Sequence, residues 1–340
     1  MSDAGALPTI TVVLPTLNAA RHLEECLASV RDQDYPQDRI EILMPDGGST
    51  DETLAIAGRF GARVLENPLK TGEAGKAVGM RAASGELILS LDSDNVLVGR
   101  DWLRRVAAPF ADSEVAGAQA AVLDLRRQDP CITRYHALLG AADPLVIHLG
   151  NYDRYSTLTR RWTGLPHESE PRDGWLRVTL TPGLVPTLGA NGFMFRRSAL
   201  QTVDPGDYFF DIDFVDQLVE RGARTYALVD VRIRHYFCAG TRQFIRKTRR
   251  RVDDFFYFRS TGSRTYPWTA GRLAGIARFT LATVLVVPLL IEAGIGFRRR
   301  PDTAWLFHPV ACWVTLCIYA AGVVRGLTRP RMMSRRGWSQ

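Results

Sequence analysis

The sequence predicts an α/β domain with a mainly parallel central sheet, followed by a basic C-terminal region with two apolar stretches. Apolar, β-branched runs alternate with segments of helical periodicity over the first hundred residues, and short polar turns separate them. Alternation of this kind is typical of βα units with right-handed crossovers. The 340 residues suffice for one large domain and an appendage.

The predicted elements follow one another in a regular order. Strand-like apolar runs occupy residues 10–14, 40–44, 62–65 and 86–91. Helical spacing lies between them, at residues 20–30, after the turn at 46–51, and at about 75–83. Because ligands bind at the carboxyl ends of parallel strands, we expect three polar turns to converge at one edge of the sheet, at residues 15–18, 46–51 and 92–95.

Two carboxylates close the fourth predicted strand. Asp92 and Asp94 share one face, because successive strand residues point to opposite faces. Two hard oxygen ligands on one side suit Mg²⁺ or Mn²⁺, which take further ligands from water and substrate phosphates. An ordinary acidic turn is the alternative, because turns are polar. The phosphate-loop pattern and the glycine-rich dinucleotide pattern are both absent, which disfavours those two folds.

The net charge of +7 is divided unevenly along the chain. Residues 241–340 hold 18 Lys and Arg against 4 Asp and Glu, so this region carries +14 and residues 1–240 carry −7. Basic flanks beside apolar stretches are typical of contacts with anionic lipid headgroups. A nucleic-acid partner is disfavoured, because proteins bind nucleic acids mainly through basic contacts to phosphates, to which long apolar runs contribute nothing. Five cysteines without paired spacing indicate no disulfide framework and no zinc site, in keeping with a cytoplasmic setting.

The C-terminal region divides into two parts. Residues 241–272 mix basic and aromatic side chains, which is typical of an interfacial helix. Residues 273–340 contain apolar stretches at 274–297 and 303–324 and end in a basic tail. Each stretch approaches the ~20 residues needed to cross a bilayer, so two spans in the inner (plasma) membrane are predicted. A re-entrant or interfacial hairpin and a pair of buried soluble helices are the alternatives.

Four motifs occur in order between residues 8 and 250. They read VVLPTLN at 12–18, DGGSTD at 46–51, DSD at 92–94, and GANG at 189–192 followed by FDID at 210–213. Together they resemble the inverting glycosyltransferases of family 2, whose nucleotide-sugar-binding domain is called the GT-A fold. The resemblance implies a GT-A domain over residues 1–240, in which a weakly periodic insertion at about 126–188 shapes the acceptor side.

The resemblance implies roles for particular residues. Asp211 is the implied general base for an acceptor hydroxyl, and Asp213 is the alternative base. Nucleotide-sugar contacts are implied for Pro15, Thr16, Asn18, Asp46, Gly48, Ser49, Lys76, Asp92 and Ser93. Acceptor contacts are implied for Gly189, Asn191, Gly192 and Asp213. Diphosphate contacts are implied for His235, Arg246 and Lys247, and metal coordination for Asp94, Asp92 and His235.

Several of these residues have a simpler structural interpretation. Asp46 can hold a turn, Lys76 can be a solvated lysine on a helix, and His235 can be a hydrogen-bonded core histidine. Aromatic neighbours of Asp211 would desolvate its carboxylate and raise its pKa. The chain departs from the acids that are common in the family at three positions, Gly47, Asn95 and Phe210.

The implied function is inverting transfer of a sugar from a nucleotide diphosphate sugar to a hydroxyl of a lipid-linked or polysaccharide acceptor, at the cytoplasmic membrane face. Mg²⁺ or Mn²⁺ is the implied cofactor, and a homo-oligomer is compatible with the sequence. Two alternatives stay open: polyprenyl-phosphate glycosylation, in which the acceptor is itself a phosphate, and a non-catalytic sugar-nucleotide-binding subunit. A nucleotidyltransferase is disfavoured, because residues 15–22 lack a basic glycine-rich loop.

Overall fold

Four parallel strands form the first half of the sheet in this computed structural model, which describes residues 7–268, 272–328 and 332. The elements of this half are β1 (Ile10–Val13), α1 (Ala20–Arg31), β2 (Ile40–Asp46), α2 (Thr53–Arg59), β3 (Arg63–Glu66), α3 (Gly72–Ala82) and β4 (Leu87–Ser90). β1 pairs with β2 and β4, and β3 pairs with β2. The predicted alternation of strands and helices is confirmed, with bounds that differ by a few residues.

Helices cover both faces of these strands. Ile10 and Val12 of β1 belong to one buried cluster with Leu23 of α1, whereas Val13 belongs to a second cluster on the other face. α3 approaches β1 closely at Gly79, where a Cβ atom would lie 2.4 Å from Val13 Cγ1. Burial on both faces explains why β1 does not alternate between apolar and charged residues.

The second half of the sheet is mixed. Its elements are β5 (Asn95–Val98), α4 (Trp102–Ala107), β6 (Val115–Asp124), α5 (Cys131–Leu139), α6 (Pro144–Leu149), β7 (Glu168–Arg172), β8 (Trp175–Thr179), β9 (Phe193–Arg196), α7 (Ala199–Thr202), α8 (Asp211–Glu220) and β10 (Thr225–His235). β9 is antiparallel to β4 and β6, and β10 is parallel to β6. The strand order is β3-β2-β1-β4-β9-β6-β10-β8-β7, with β5 antiparallel to β10.

The segment predicted as an insertion, residues 126–188, contains regular structure that its weak periodicity did not indicate. It forms α5, α6 and the hairpin β7–β8, and this hairpin extends the sheet beyond β10. β7 is exposed at every position, so no apolar pattern marks it in the sequence. An acceptor-side role for this segment stays a prediction.

The C-terminal region is helical over α9 (Thr241–Ser260), α10 (Leu273–Leu285), α11 (Val287–Arg299) and α12 (His308–Thr328). The first apolar stretch breaks at Val286, where α10 and α11 meet at 97°. Thr303–Gly326 is the one helix in the described chain that is long and apolar enough to cross a membrane, with a mean hydropathy of 1.7. The bent pair passes the same test only as a broken span or a re-entrant loop. Of the two predicted spans, the first is therefore a pair of helices with a sharp bend between them, and the second is one straight helix. Their arrangement in a membrane stays a prediction.

These helices pack on the domain with one side and expose apolar residues on the other. Arg325 of α12 pairs with Asp253 of α9 at 2.8 Å. On α10 and α11, Leu281, Val287 and Leu290 are 57–61% exposed, so a pair of buried soluble helices does not describe this arrangement. Of the predicted basic tail, Arg325 lies in α12, whereas residues 329–331 and 333–340 lie outside the described residues.

Candidate active site

The turns after β1 and β2 are held together by Asp46. Its Oδ1 accepts hydrogen bonds from Thr16 Oγ1 at 3.0 Å and Ser49 Oγ at 2.5 Å. Its Oδ2 accepts from the backbone N–H groups of Gly48 and Ser49, at 2.8 and 2.7 Å. The turn-holding geometry that the sequence left as an alternative for Asp46 is therefore present, and a contact with a nucleobase stays a prediction.

Asn18 joins the same two turns from the other side. Its backbone N–H donates to Ser49 Oγ at 2.8 Å, and its Oδ1 accepts from the backbone N–H of Thr50 at 2.9 Å. Its φ of 49° is left-handed, a conformation that asparagine adopts more readily than most residues. Pro15 packs against α3, where a Cβ atom at Gly75 would lie 2.8 Å from Pro15 Cβ. The predicted nucleotide-binding residues of both turns thus lie together at one edge of the sheet.

Lys76 connects two of the predicted site residues. Its Nζ lies 2.8 Å from Asp211 Oδ2 and 3.2 Å from Asp92 Oδ1, and the residue is 5% exposed. Burial by itself lowers the pKa of Lys76, but the attraction of the Asp211 and Asp92 carboxylates outweighs burial and raises the pKa overall. Lys76 is therefore not a solvated lysine. It is a buried cation that holds the two carboxylates in one cleft.

Asp211 is the first residue of α8, and its side chain is 16% exposed. Its Oδ1 accepts a hydrogen bond from Ser90 Oγ at 3.1 Å. Burial raises the pKa of Asp211 above its usual range; Lys76 opposes this effect and Asp92 adds to it. A partly accessible carboxylate with a raised pKa is suited to accept a proton from a hydroxyl group.

Asp213, the alternative base and a predicted acceptor contact, is engaged elsewhere. Its Oδ2 accepts from Arg264 Nε and Nη2 at 3.0 and 2.7 Å, and its Oδ1 accepts from the backbone N–H groups of Thr265 and Tyr266 at 2.6 and 2.9 Å. The residue is 2% exposed. These four hydrogen bonds tie α8 to the segment after α9 and occupy both carboxylate oxygens of Asp213. The identity of the base, Asp211 or Asp213, and an acceptor contact of Asp213 stay predictions.

Asp94 lies between two basic side chains. Its Oδ1 is 3.4 Å from His235 Nε2, and its Oδ2 is 3.4 Å from Lys247 Nζ. The antiparallel register of β5 and β10 pairs Asn95 with His235, which brings the histidine beside Asp94. Burial acts to raise the pKa of Asp94, but His235 and Lys247 outweigh burial and hold the pKa well below its usual range. Arg246 is exposed, and its contact with a diphosphate stays a prediction.

Asp94 and His235 fit a divalent cation. A carboxylate oxygen and an imidazole nitrogen 3.4 Å apart are close enough to bind one ion, and both are ligands for such metals. Within the described ranges, no group of three or more His, Cys, Asp and Glu side chains could hold a metal ion. An ion at this pair would take its other ligands from water and substrate phosphates, as Mg²⁺ usually does. Direct coordination by Asp92, whose Oδ1 contacts Lys76, stays a prediction.

The predicted acceptor loop, residues 189–192, is held by a residue that the sequence did not indicate. Arg154 is 3% exposed, and its Nη2 donates to the backbone carbonyls of Ala190 and Asn191, both at 2.9 Å. Asn191 Oδ1 also accepts from Asn95 Nδ2 at 3.3 Å, which links the loop to the residue after Asp94. Arg154 lies in the weakly periodic segment, where no motif marks it.

A second group that the sequence did not indicate lies beside Asp94. The ring of His22 on α1 stacks on Tyr236, with centroids 4.3 Å apart. Both residues line a pocket that also contains Asp94, Arg126 and Lys247. A histidine, an arginine and a lysine around one carboxylate suit a phosphate group. Asp94 and Lys247 were predicted from the sequence, whereas His22 and Arg126, which come from distant parts of the chain, were not.

Two proteins with related sequences match about a third of the chain. The chain is 31% identical over 115 residues to Glycosyltransferase AglE of Haloferax volcanii, a match that covers 32% of this chain and 38% of that protein. A match of the same length, 36% identical, covers 32% of this chain and 44% of a PGL/p-HBAD biosynthesis glycosyltransferase of Mycobacterium tuberculosis. The chain therefore matches less than half the length of each of these relatives.

A solved structure matches nearly the whole chain. The mannosyltransferase PcManGT from Pyrobaculum calidifontis, in complex with GDP-Man and Mn²⁺, has a TM-score of 0.57 and 18% sequence identity, and the match covers 97% of this chain and 90% of that one. At this identity the likeness concerns the fold alone. The sequence pattern of Glycosyl transferase family 2 matches residues 11–203, which is more than half of the chain. The chain therefore belongs to glycosyltransferase family 2.

Proposed function

We propose that this glycosyltransferase moves a sugar, with inversion, from a nucleotide diphosphate sugar to a hydroxyl of a lipid-linked or polysaccharide acceptor. The observation that carries the proposal is the bridge made by Lys76, 3.2 Å from Asp92 and 2.8 Å from Asp211. In an inverting transfer the base and the groups that hold the departing diphosphate act on opposite sides of one sugar carbon, so they must share a cleft. The bridge links the predicted donor triplet to the predicted base.

Each group of the cleft has a role in this proposal. Asp211 accepts the proton of the acceptor hydroxyl, while Ser90 and Lys76 hold its carboxylate in place. Bound Mg²⁺ or Mn²⁺, held by Asp94 and His235, would supply positive charge against the departing diphosphate. The presence of Mn²⁺ and GDP-Man in the mannosyltransferase of similar fold supports this choice of donor and metal.

We also place the enzyme at the cytoplasmic face of the inner membrane. The apolar side chains that α10 and α11 expose lie before a run of three arginines at residues 298–300. Apolar surface beside basic residues favours binding to an anionic bilayer. α9 connects this region to the site, because Lys247 lies near Asp94 and Asp253 pairs with Arg325 of α12. A lipid-borne acceptor could then reach the site from the bilayer.

The test is transfer by the full chain reconstituted in anionic vesicles. Nucleotide diphosphate release is measured for UDP-, GDP- and dTDP-sugars with Mn²⁺ or Mg²⁺, with and without a lipid extract. We expect Asp211→Asn to lower transfer by about 10²–10⁴-fold while nucleotide binding persists. Asp216→Asn, which changes another buried carboxylate of α8, is the matched control and should keep transfer. Full turnover by Asp211→Asn would contradict Asp211 as base and would favour a phosphate acceptor, which needs little base assistance.

A further inference from the structure

A second histidine lies behind His235, outside every motif. His136 on α5 is 5% exposed. Its Nε2 lies 3.2 Å from His235 Nδ1, and its Nδ1 lies 3.0 Å from the carbonyl oxygen of Ala141. His235 Nε2 in turn lies 3.4 Å from Asp94 Oδ1. These contacts form one continuous chain from a backbone carbonyl to the site.

The backbone carbonyl fixes the position of one proton in this chain. A carbonyl oxygen only accepts hydrogen bonds, so His136 Nδ1 carries a proton and donates it to Ala141. The other ring nitrogen of His136, Nε2, can then accept a hydrogen bond. A cation bound at His235 Nε2 would leave the proton of that ring on Nδ1, which lies 3.2 Å from His136 Nε2 and would donate to it. The contact between the two histidines thus matches the form of His235 that binds a cation beside Asp94.

We propose that His136 is a positioning residue for the divalent cation, because it holds His235 in the tautomer and ring orientation that present Nε2 to the ion. The inference rests on the proposed function, which assigns the metal to Asp94 and His235. A metal-bound histidine usually donates its other N–H to a partner that fixes its tautomer, and loss of such a partner lowers metal affinity by about 10–100-fold.

The surroundings keep His136 in place. Its ring stacks on Phe237, with centroids 4.2 Å apart and an interplanar angle of 19°. Gly140, the residue after α5, has a φ of 68°, and a Cβ atom there would lie 2.6 Å from the Tyr155 carbonyl oxygen. Only glycine fits this close approach, and the resulting turn brings the Ala141 carbonyl back to the His136 ring.

The first measurement is the affinity of the purified full chain for Mn²⁺ alone, by electron paramagnetic resonance. His136→Phe keeps a flat ring against Phe237 but cannot accept a hydrogen bond, and we expect it to weaken Mn²⁺ binding by about 10–100-fold. His136→Gln offers an amide oxygen to His235 Nδ1 and should recover most of the affinity. His148→Phe changes another buried histidine, which lies beside Phe279, and should bind Mn²⁺ as the wild type does.

The second measurement is the tautomer of His235 by ¹⁵N NMR of the histidine rings, in metal-free protein that carries Asp94→Asn, so that no carboxylate competes for the Nε2 proton. In this background we expect the Nδ1–H form with native His136 and with His136→Gln, and a population of the Nε2–H form with His136→Phe. Wild-type Mn²⁺ affinity and an unchanged tautomer in His136→Phe would overturn the inference while leaving the proposed function intact. If the wild type itself bound no Mn²⁺, the metal-dependent part of the proposed function would fail, and the tautomer measurement would still decide whether His136 orients His235.

Discussion

Lys76 and Asp211 form a buried ion pair, with Nζ 2.8 Å from Oδ2, between α3 and the first residue of α8. Burial raises the pKa of the Asp211 carboxyl, and Lys76 is the strongest influence in the opposite direction. The ionisation state of the proposed base therefore depends on a lysine that lies far away in the sequence.

Lys76→Met should lower the fraction of Asp211 that is ionised, and so able to act as a base, at neutral pH. Without the ammonium group, burial and Asp92 act unopposed, so the pKa of Asp211 rises further and less of the carboxylate is ionised. Because the base must be deprotonated, we expect lower transfer at pH 7 and an acidic limb of the pH–rate profile that moves to higher pH. The measurement is kcat/KM between pH 5 and 9.

The matched control for that variant is Arg81→Met, which removes an exposed cation from the same helix. Its pH–rate profile should match that of the wild type. If Lys76→Met lost activity equally at every pH, Lys76 would act on folding or donor binding and not on the ionisation of Asp211.

Asp216 provides a test of stability against pH. Burial, followed by repulsion from Glu220 and Asp213, raises the pKa of this carboxyl from 3.8 to about 6. The native state binds the Asp216 proton more tightly than the unfolded chain does, so ionisation of this group costs stability in the folded protein. The contribution of Asp216 to the free energy of unfolding therefore falls as the pH rises from about 4 to 6 and stays low at higher pH. We expect Asp216→Asn to be more stable than the wild type at pH 8 by about 2–3 kcal/mol and to lose this advantage near pH 4.

The readout for Asp216 is the free energy of unfolding from denaturant titrations between pH 4 and 8. Asp207→Asn, at an exposed carboxylate outside α8, should reproduce the wild-type pH dependence. An Asp216→Asn variant that was less stable than the wild type at pH 8 would contradict the raised pKa.

Gly189→Ala should disturb the cleft beside the base. Gly189 has a φ of 126°, and a Cβ atom there would lie 2.6 Å from the Asp211 carbonyl oxygen. Gly183 also has a positive φ, 73°, but a Cβ atom there meets nothing within 4 Å. Gly183→Ala therefore controls for backbone strain alone, which typically costs about 1 kcal/mol of stability.

We expect Gly189→Ala to lower kcat at least 10-fold more than Gly183→Ala. The added methyl group would press on the backbone of Asp211 and displace this residue from its contacts. A misplacement of about 1 Å can lower the rate of a reaction by about 10²-fold. The measurement is the kcat of the two variants, from steady-state kinetics. Equal losses in both would show that the approach to Asp211 has no part in catalysis.

The exposed apolar face of α10 and α11 can be tested by flotation with phosphatidylglycerol vesicles. Val287 and Leu290 are 61% and 57% exposed. The double variant Val287→Asp/Leu290→Asp should bind the vesicles much more weakly, because charged groups do not enter the acyl region of a bilayer. Leu54→Asp, at an apolar residue that is 44% exposed on α2, should bind normally. Unchanged flotation of the double variant would argue against a lipid contact at this face.

The sequence predicted the parallel half of the sheet because each of its strands is a local apolar run with a helix after it. The same regularity placed the turns after β1, β2 and β4 at one edge, and so brought Asp46 and Asp92 into one region. β6 and β10, by contrast, were not predicted. They pair with each other although more than a hundred residues separate them in the sequence, and pairing over such distances leaves no periodic pattern in the chain.

The site was predictable where a motif marked it and not where contact depends on tertiary pairing. Asp211 was chosen from its motif, but its ion pair with Lys76 depends on how α3 and α8 meet. The engagement of Asp213 by Arg264 could not be foreseen, because the segment after α9 shows no relation to α8 in sequence. His136 lies in a segment without periodicity, and its proposed role depends on contacts with Ala141 and His235 that only the folded chain brings together.

The placement of α9 affects how the enzyme should be purified. This helix carries Lys247, which contacts Asp94, and within two turns also Val252 and Asp253, which contact α12. At Gly322 the two helices are so close that a Cβ atom would lie 2.1 Å from Val252 Cγ1. A detergent that pulls α12 away from α9 therefore releases a helix that also supports the site, and we expect solubilised preparations to lose transfer before their sheet unfolds. Reconstitution in nanodiscs should restore it.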